Sequence, residues 1–245
     1  MDTAAPGREM LDRGDRPRLA YRYRPGRGPA IVFLPGYGSD MTGGKATALD
    51  AHAAAAGRAM LRFDYAGCGE SEGEFAAQTL DDWLGDTLAV IDALTGGPLV
   101  VVGSSMGGWL MLLTALARPQ RIAGLVGIAA APDFTDWGFD RAQRAELVRA
   151  GVLSEPSDYD EPTVTTLGFW QSGQRRLLLG GEIAIDAPVR LLHGQRDEVV
   201  PWRIALDLAA RLRSAEVQLM LVKDGDHRLS RDGDIALLLA TVEAL

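Results

Sequence analysis

Cysteine is nearly absent from this chain: Cys68 stands alone among 245 residues. No internal disulfide can form, and a Cys-rich zinc site is excluded. Histidine is almost as scarce, occurring only as His52, His193 and His227. That leaves few ways to build a His-based metal site, and no metal or organic cofactor is expected. Positive charge is also in deficit. There are 25 basic residues against 33 acidic ones, a formal net charge of −8. Such a chain gains nothing from counterion release on a polyanion, so nucleic acid is not an expected partner. The same balance argues against anionic membrane surfaces. No apolar run reaches the roughly 20 residues that a membrane-spanning helix needs. The opening stretch MDTAAPGREMLDRGDRPR lacks the apolar centre of a secretory signal. It also mixes Arg with Asp and Glu, unlike a mitochondrial presequence. The expected compartment is therefore the cytoplasm.

What the chain does have is a repeating alternation of strand-like and helix-like segments. Hydrophobic residues make up 47% and charged residues 24%, ordinary for a soluble globular protein long enough to bury its own core. After a polar leader, residues 18–24 alternate apolar and polar, as a half-buried strand does. The runs at 30–36, 60–65, 98–103, 122–130, 187–194 and 215–222 read as buried strands. Helices are expected over 43–57, from Thr79 to the Gly96-Gly97-Pro98 stop, over 106–118, after Pro201, and over 234–245. Thr79 and Asp82 form a capping-box pattern at one of these starts. The alternation implies one α/β domain, a mainly parallel sheet with helices on both faces. Residues 132–186 break it. They carry Phe134, Trp137, Phe139, Tyr159, Phe169 and Trp170, with one helical stretch near 140–150. They read as a small cap inserted between two sheet strands.

The pattern G-x-S-x-G occurs twice, at Gly103–Gly107 and at Gly69–Gly73. The chemistry behind it needs a strand that turns sharply into a helix, so that Ser Oγ is exposed and a backbone N–H at the helix start faces the developing oxyanion. Ser105 meets those conditions, with PLVVVG before it and GGWLMLLTALA after it. Ser71 does not: no helix follows at once, and Glu70 and Glu72 would oppose a negative intermediate. Ser105 is the candidate nucleophile.

A serine hydroxyl needs a base to take its proton. His227, in the polar turn KDGDHRLS, lies beyond the next-to-last structural unit and would emerge at the same sheet edge as Ser105. His193 ends a buried strand and reads as structural, and His52 as incidental. For the acid that orients the imidazole, Asp197 in GQRDEVVP is favoured, with Asp133, Glu198 and Asp64 as rivals. Asp64 reads rather as a pin for its own Gly-rich turn. Met106 N–H and Tyr37 N–H are the candidate oxyanion donors. Lys45 is expected to be solvated or paired with an acid, and Cys68 has nothing beside it to depress its pKa.

The segments FLPGYGSDMTGGKA, RFDYAGCGES, VVGSSMGGWLML, RLLHGQRDEVVPW and DGDHRLS together resemble the α/β-hydrolase superfamily. Within it they are similar to the palmitoyl-protein thioesterase and acyl-glucuronide esterase group best known from mitochondria. The resemblance runs from about residue 19 onward. It implies a Ser–Asp–His triad made of Ser105, Asp197 and His227, with Asp197 rather than Asp133 as the acid. It also implies hydrolysis of an ester or thioester, on a small molecule or an acylated protein, through an acyl-enzyme. A small-ester carboxylesterase or peptidase of the same fold is the alternative, and a non-catalytic binding protein on this scaffold is the alternative of another class.

Overall fold

The structure is a computed structural model that describes residues 5–155 and 162–245. The elements that build the body follow in chain order. They are β1 (Glu9–Arg13), β2 (Arg16–Arg24), β3 (Arg27–Leu34), α1 (Gly44–Ala56), β4 (Arg58–Phe63), α2 (Leu80–Leu94), β5 (Leu99–Ser104), α3 (Met106–Ala117) and β6 (Ile122–Ile128). After an excursion come β9 (Val189–Gly194), α7 (Arg203–Arg211), β10 (Val217–Val222) and α8 (Asp232–Glu243). The excursion itself holds α4 (Phe134–Trp137), α5 (Arg141–Ala150), β7 (Val152–Glu155), β8 (Thr163–Thr166) and α6 (Leu167–Gln174).

Among the described residues the main sheet runs in the order β1-β2-β4-β3-β5-β6-β9-β10. From β4 to β10 every neighbouring pair is parallel, and only β1 and β2 are antiparallel additions at one edge. The central strands are apolar throughout because each faces two cores. In β3, Val32 and Leu34 pack with Trp83 and Trp109, while Ile31 and Phe33 pack with Leu49 of α1 and Leu238 of α8. β5 divides the same way, Val101 to the first core and Val100 and Val102 to the second. Helices α2, α3 and α7 thus cover one face, and α1 and α8 the other.

The expected α/β architecture is present, with boundaries shifted by a few residues. Two features depart from expectation. The polar leader is not all irregular: Glu9–Arg13 forms β1 against β2. Its sequence, EMLDR, half-buries Met10, Leu11 and the charged Arg13, so its apolar periodicity is too weak to stand out. The excursion is also more ordered than one helix. β7 and β8 pair as an antiparallel hairpin, and α6 follows directly. Tyr159 lies outside the described residues.

The excursion is fastened to the body by its aromatics and by buried polar ties. Phe169 is 1% exposed and packs edge-on against Tyr37, centroids 4.9 Å apart. Phe134 sits between Trp109 and Phe169, with centroid distances of 5.8 Å to each. Tyr37 Oη donates to Val164 O at 2.7 Å, and Trp109 Nε1 donates to Arg176 O at 3.2 Å. Edge-to-face rings of this kind add roughly 0.5–1.5 kcal/mol per pair beyond burial.

Candidate active site

β5 ends at Ser104, and α3 begins at Met106, so a single residue makes the corner. Ser105 takes φ 55° and ψ −121° there. A side chain at positive φ is strained by on the order of 1–3 kcal/mol. Its backbone is held from both sides: Ser105 N donates to Ile128 O at 2.9 Å, and Ser105 O accepts from Ala131 N at 3.0 Å and Gly108 N at 2.9 Å. The corner is this tight only because its flanks lack side chains. A Cβ at Gly103 would collide with Gly107 O, and a Cβ at Gly107 would collide with Leu34 O. The loop after β3 comes equally close, since a Cβ at Gly36 would lie 3.4 Å from Ser105 Cβ. That sets Gly36, the residue before Tyr37, against Ser105, which itself leads into α3. Backbone N–H groups at a helix start suit a developing negative charge.

Asp197 and His227 leave the same edge of the sheet, after β9 and β10. His227 Nδ1 donates to Asp197 Oδ2 at 2.8 Å, which leaves Nε2 free to take a proton. Asp197 Oδ1 accepts from Val199 N at 2.9 Å and Val200 N at 2.7 Å. Burial opposes the charge on Asp197. Hydrogen bonds from His193, His227 and Val200 N outweigh it and hold the carboxyl well below the usual carboxylate range. The two loops meet closely because a glycine faces a glycine: a Cβ at Gly194 would strike Gly225 O. Among the described residues, Ser105 Oγ is hydrogen-bonded to neither Asp197 nor His227.

The α/β-hydrolase fold family profile matches residues 29–150. The human palmitoyl-protein thioesterase ABHD10, named as mitochondrial, is 41% identical over 241 residues, which cover 96% of this chain and 79% of that protein. The chain belongs to the α/β-hydrolase family. Solved structures agree. Mouse α/β-hydrolase domain-containing protein 10 superposes with a TM-score of 0.91 at 38% identity, over 97% of each chain. A chain from Agrobacterium vitis S4 gives the same score at 37% identity, again over 97% of each. These relatives overturn the expected cytoplasmic location, because those of the ABHD10 group are named as mitochondrial. The charge pattern of a short leader bears on one kind of import signal. It does not report where the folded α/β-hydrolase body works.

The rivals for each role in this α/β-hydrolase go elsewhere. Asp133 is buried, and its carboxylate accepts from Leu178 N and Leu179 N, the latter at 2.7 Å. It ties the end of β6 to the excursion. Glu198 is exposed. Asp64 pins its own turn through Glu70 N at 2.8 Å, and also reaches Met41 N at 2.7 Å. Ser71 is a hydrogen-bonding post, not an exposed hydroxyl. It donates to Asp64 O at 2.7 Å and accepts from Ala20 N at 2.8 Å. Burial pushes the Cys68 thiol up to about 12, far from a thiolate at neutral pH. His52 pairs with Glu243 at 3.0 Å.

Two neighbours of the site escape sequence reasoning. Lys45, at the start of α1, donates to Arg228 O at 2.5 Å and so grips the loop that carries His227. His193 touches Asp197 itself, at 3.2 Å. Its spacing, H-G-x-x-D across a turn, was the available signal. Among the described residues, no cluster of three or more His, Cys, Asp or Glu side chains could hold a metal ion. No helix there is long and apolar enough to cross a membrane.

Proposed function

We propose that this chain is a serine hydrolase that cleaves an acyl thioester or ester through an acyl-enzyme, with a palmitoylated protein as the leading substrate. The observation that carries this reading is the strained corner at Ser105, φ 55°, facing the sheet edge that also bears the 2.8 Å Asp197–His227 bond. The substrate class comes from the ABHD10 relatives, which are named palmitoyl-protein thioesterases. Ser105, Asp197 and His227 form the catalytic triad of this reading.

His227 Nε2 takes the Ser105 proton as Oγ attacks the acyl carbon. Met106 N–H and Tyr37 N–H stabilise the oxyanion. Asp197 holds His227 in the tautomer that makes Nε2 the base, and stabilises its charged form. The imidazolium then gives its proton to the leaving thiol or alcohol. His227 next activates a water that attacks the acyl-enzyme, which frees the carboxylic acid and restores Ser105. Residues 132–186 act as a cap over this edge, held by Tyr37 and Phe169.

Four of the five cap arginines already have partners and the fifth, Arg141, is exposed, which supports an acyl thioester over an acyl glucuronide. Arg175 and Arg176 bind Asp81 at 3.1 and 2.7 Å, and Arg149 pairs with Glu146 at 2.5 Å. Arg144 is turned onto the carbonyls of Phe139 and Asp136. A glucuronate would have to compete with these partners. The test has two arms. Stoichiometric labelling of Ser105 by a fluorophosphonate is expected, and absence of labelling would reject the nucleophile. A screen of acyl thioesters and acyl glucuronides of graded length should give highest kcat/KM on long-chain thioesters. Preference for glucuronides would replace the substrate class while keeping the chemistry.

A further inference from the structure

His193 and Asp197 flank the turn that leaves β9, and both side chains are fully shielded from solvent, at 0% exposure each. His193 Nε2 lies 3.0 Å from Val200 O and 3.2 Å from Asp197 Oδ2. Both neighbours are acceptors, so the hydrogen resides on Nε2. His193 Nδ1 is buried without a partner. A hydrogen placed there would be an orphan donor, and a bare lone pair is the smaller loss. One tautomer therefore fits, with a single N–H shared between the carboxylate and the carbonyl of the same turn.

Asp197 Oδ2 thus receives two imidazoles, His193 and His227. They differ in how firmly they are held. His193 sits on a sheet strand inside the protein, while His227 rides on a loop with 24% of its side chain exposed. The turn amides of Val199 and Val200 fix only Oδ1. Those two bonds fix the carboxylate only as firmly as the 197–200 turn is itself held. His193 supplies the rigid contact that holds the turn to the sheet, through Asp197 Oδ2 and Val200 O at its two ends.

We propose that His193 is a positioning residue for the Asp197–His227 pair: its Nε2–H locks the carboxylate plane and the 197–200 turn, so that Oδ2 is presented to His227. The kinetic part of this proposal rests on the hydrolase reading above, and the spectroscopic part does not.

The test compares three variants of the full chain, each checked for folding by circular dichroism. His193→Gln keeps an amide donor near the Nε2 position. His193→Asn carries its amide near Nδ1, too short to reach Asp197. His193→Leu removes the donor. In the wild type and His193→Gln, proton NMR should show a low-field signal from His227 Nδ1–H, and in the Leu and Asn variants it should weaken or vanish. On a long-chain acyl thioester, kcat should fall about 10- to 100-fold in the Leu and Asn variants, as when the supporting partner of a functional ligand is lost. KM should stay within about twofold, the mark of a defect in chemistry rather than binding. Gln should recover most of the loss. If Leu fails to fold, the Asn variant carries the comparison. A folded Leu or Asn variant with unchanged signal and unchanged kcat would overturn the proposal, as would a Gln variant as impaired as Asn. A wild type without turnover, whose low-field signal still follows this order across the variants, would sink the hydrolase reading and leave this one standing.

Discussion

The same five-residue pattern stands at two places in this chain, and the surroundings give its two serines opposite employments. At Gly103–Gly107 the pattern joins a buried strand directly to a helix, and the serine between them is bent to φ 55°. At Gly69–Gly73 it runs through a turn after β4. There Ser71 has its hydroxyl bound on both sides, by Asp64 O at 2.7 Å and Ala20 N at 2.8 Å. The flanking acids of the second copy are also engaged: Glu70 with Arg22 at 3.2 Å and Glu72 with Arg18 at 2.6 Å. Glycines serve both copies for steric reasons. At Gly69 a Cβ would run into the Asp64 carboxylate, just as at Gly103 it would run into Gly107. The letters encode a tight backbone in each case. Among the described residues, only the strand-to-helix corner leaves its serine hydroxyl without a hydrogen-bond partner, with helix N–H groups beside it.

Removing each hydroxyl in turn should separate the two serines most clearly. Ser105→Ala should cut kcat/KM by about 10⁴-fold or more while the fold survives, because it removes the proposed nucleophile and leaves the proposed oxyanion donors. Hydrolysis of p-nitrophenyl esters measures it, and wild-type turnover would refute the assignment. Asp197→Asn comes next. An amide at this position favours the wrong His227 tautomer, and a loss of about 10⁴-fold in kcat is expected from that cause. Asp133→Asn should stay within about tenfold of wild type, because its role is to hold Leu178 N and Leu179 N. An equal loss in both variants would mean that the acid has been misassigned. Ser71→Ala should leave kcat/KM unchanged and lower stability by about 1–2 kcal/mol, the cost of two broken part-buried hydrogen bonds. Urea unfolding reads this, and a large kcat defect in Ser71→Ala would give the second copy a role in chemistry.

The corner at Ser105 is legible because its context is local: an apolar strand, the Gly pair and a helix follow one another within twenty residues. The order of Asp197 and His227 after it was legible because parallel strands deliver their following loops to one edge. The contacts between distant segments were not. The sequence points to the Tyr37 backbone N–H, yet its hydroxyl anchors β8, more than a hundred residues away, and its ring packs on Phe169 of α6. The β7–β8 hairpin has no alternating pattern strong enough to announce it; its sequences VLSE and TVTT are short and half polar. A buried histidine at a strand end, as His193 is, reads from sequence as structural. Its contact with Asp197 appears only when the turn at 194–197 folds the carboxylate back onto the strand.

The finest test of the comparison is electrostatic, because each serine motif has a buried aspartate nearby and the two are perturbed in opposite directions. Burial pushes Asp64 up, against the pull of backbone N–H groups from Glu70 and Met41. At Asp197 burial also pushes up, but two imidazoles and Val200 N overcome it and hold the group down. An unfolded aspartate titrates near about 3.9. The stability that Asp197 contributes is thus present above about pH 4 and is lost as pH falls below it through the folded value. Asp64 has the reverse sign: its contribution is greatest below about pH 4 and fades as pH rises through its elevated folded value. Melting temperature followed from pH 7 to pH 3 in two variants should separate them. Asp197→Asn should flatten the loss of stability below about pH 4 relative to wild type. Asp64→Asn should steepen the decline above about pH 4, since it deletes a group that strengthens the fold as acid is added. Deviations of the same sign in both variants would mean that the two carboxylates share one environment, and the contrast between the two motifs would then lie in the backbone alone.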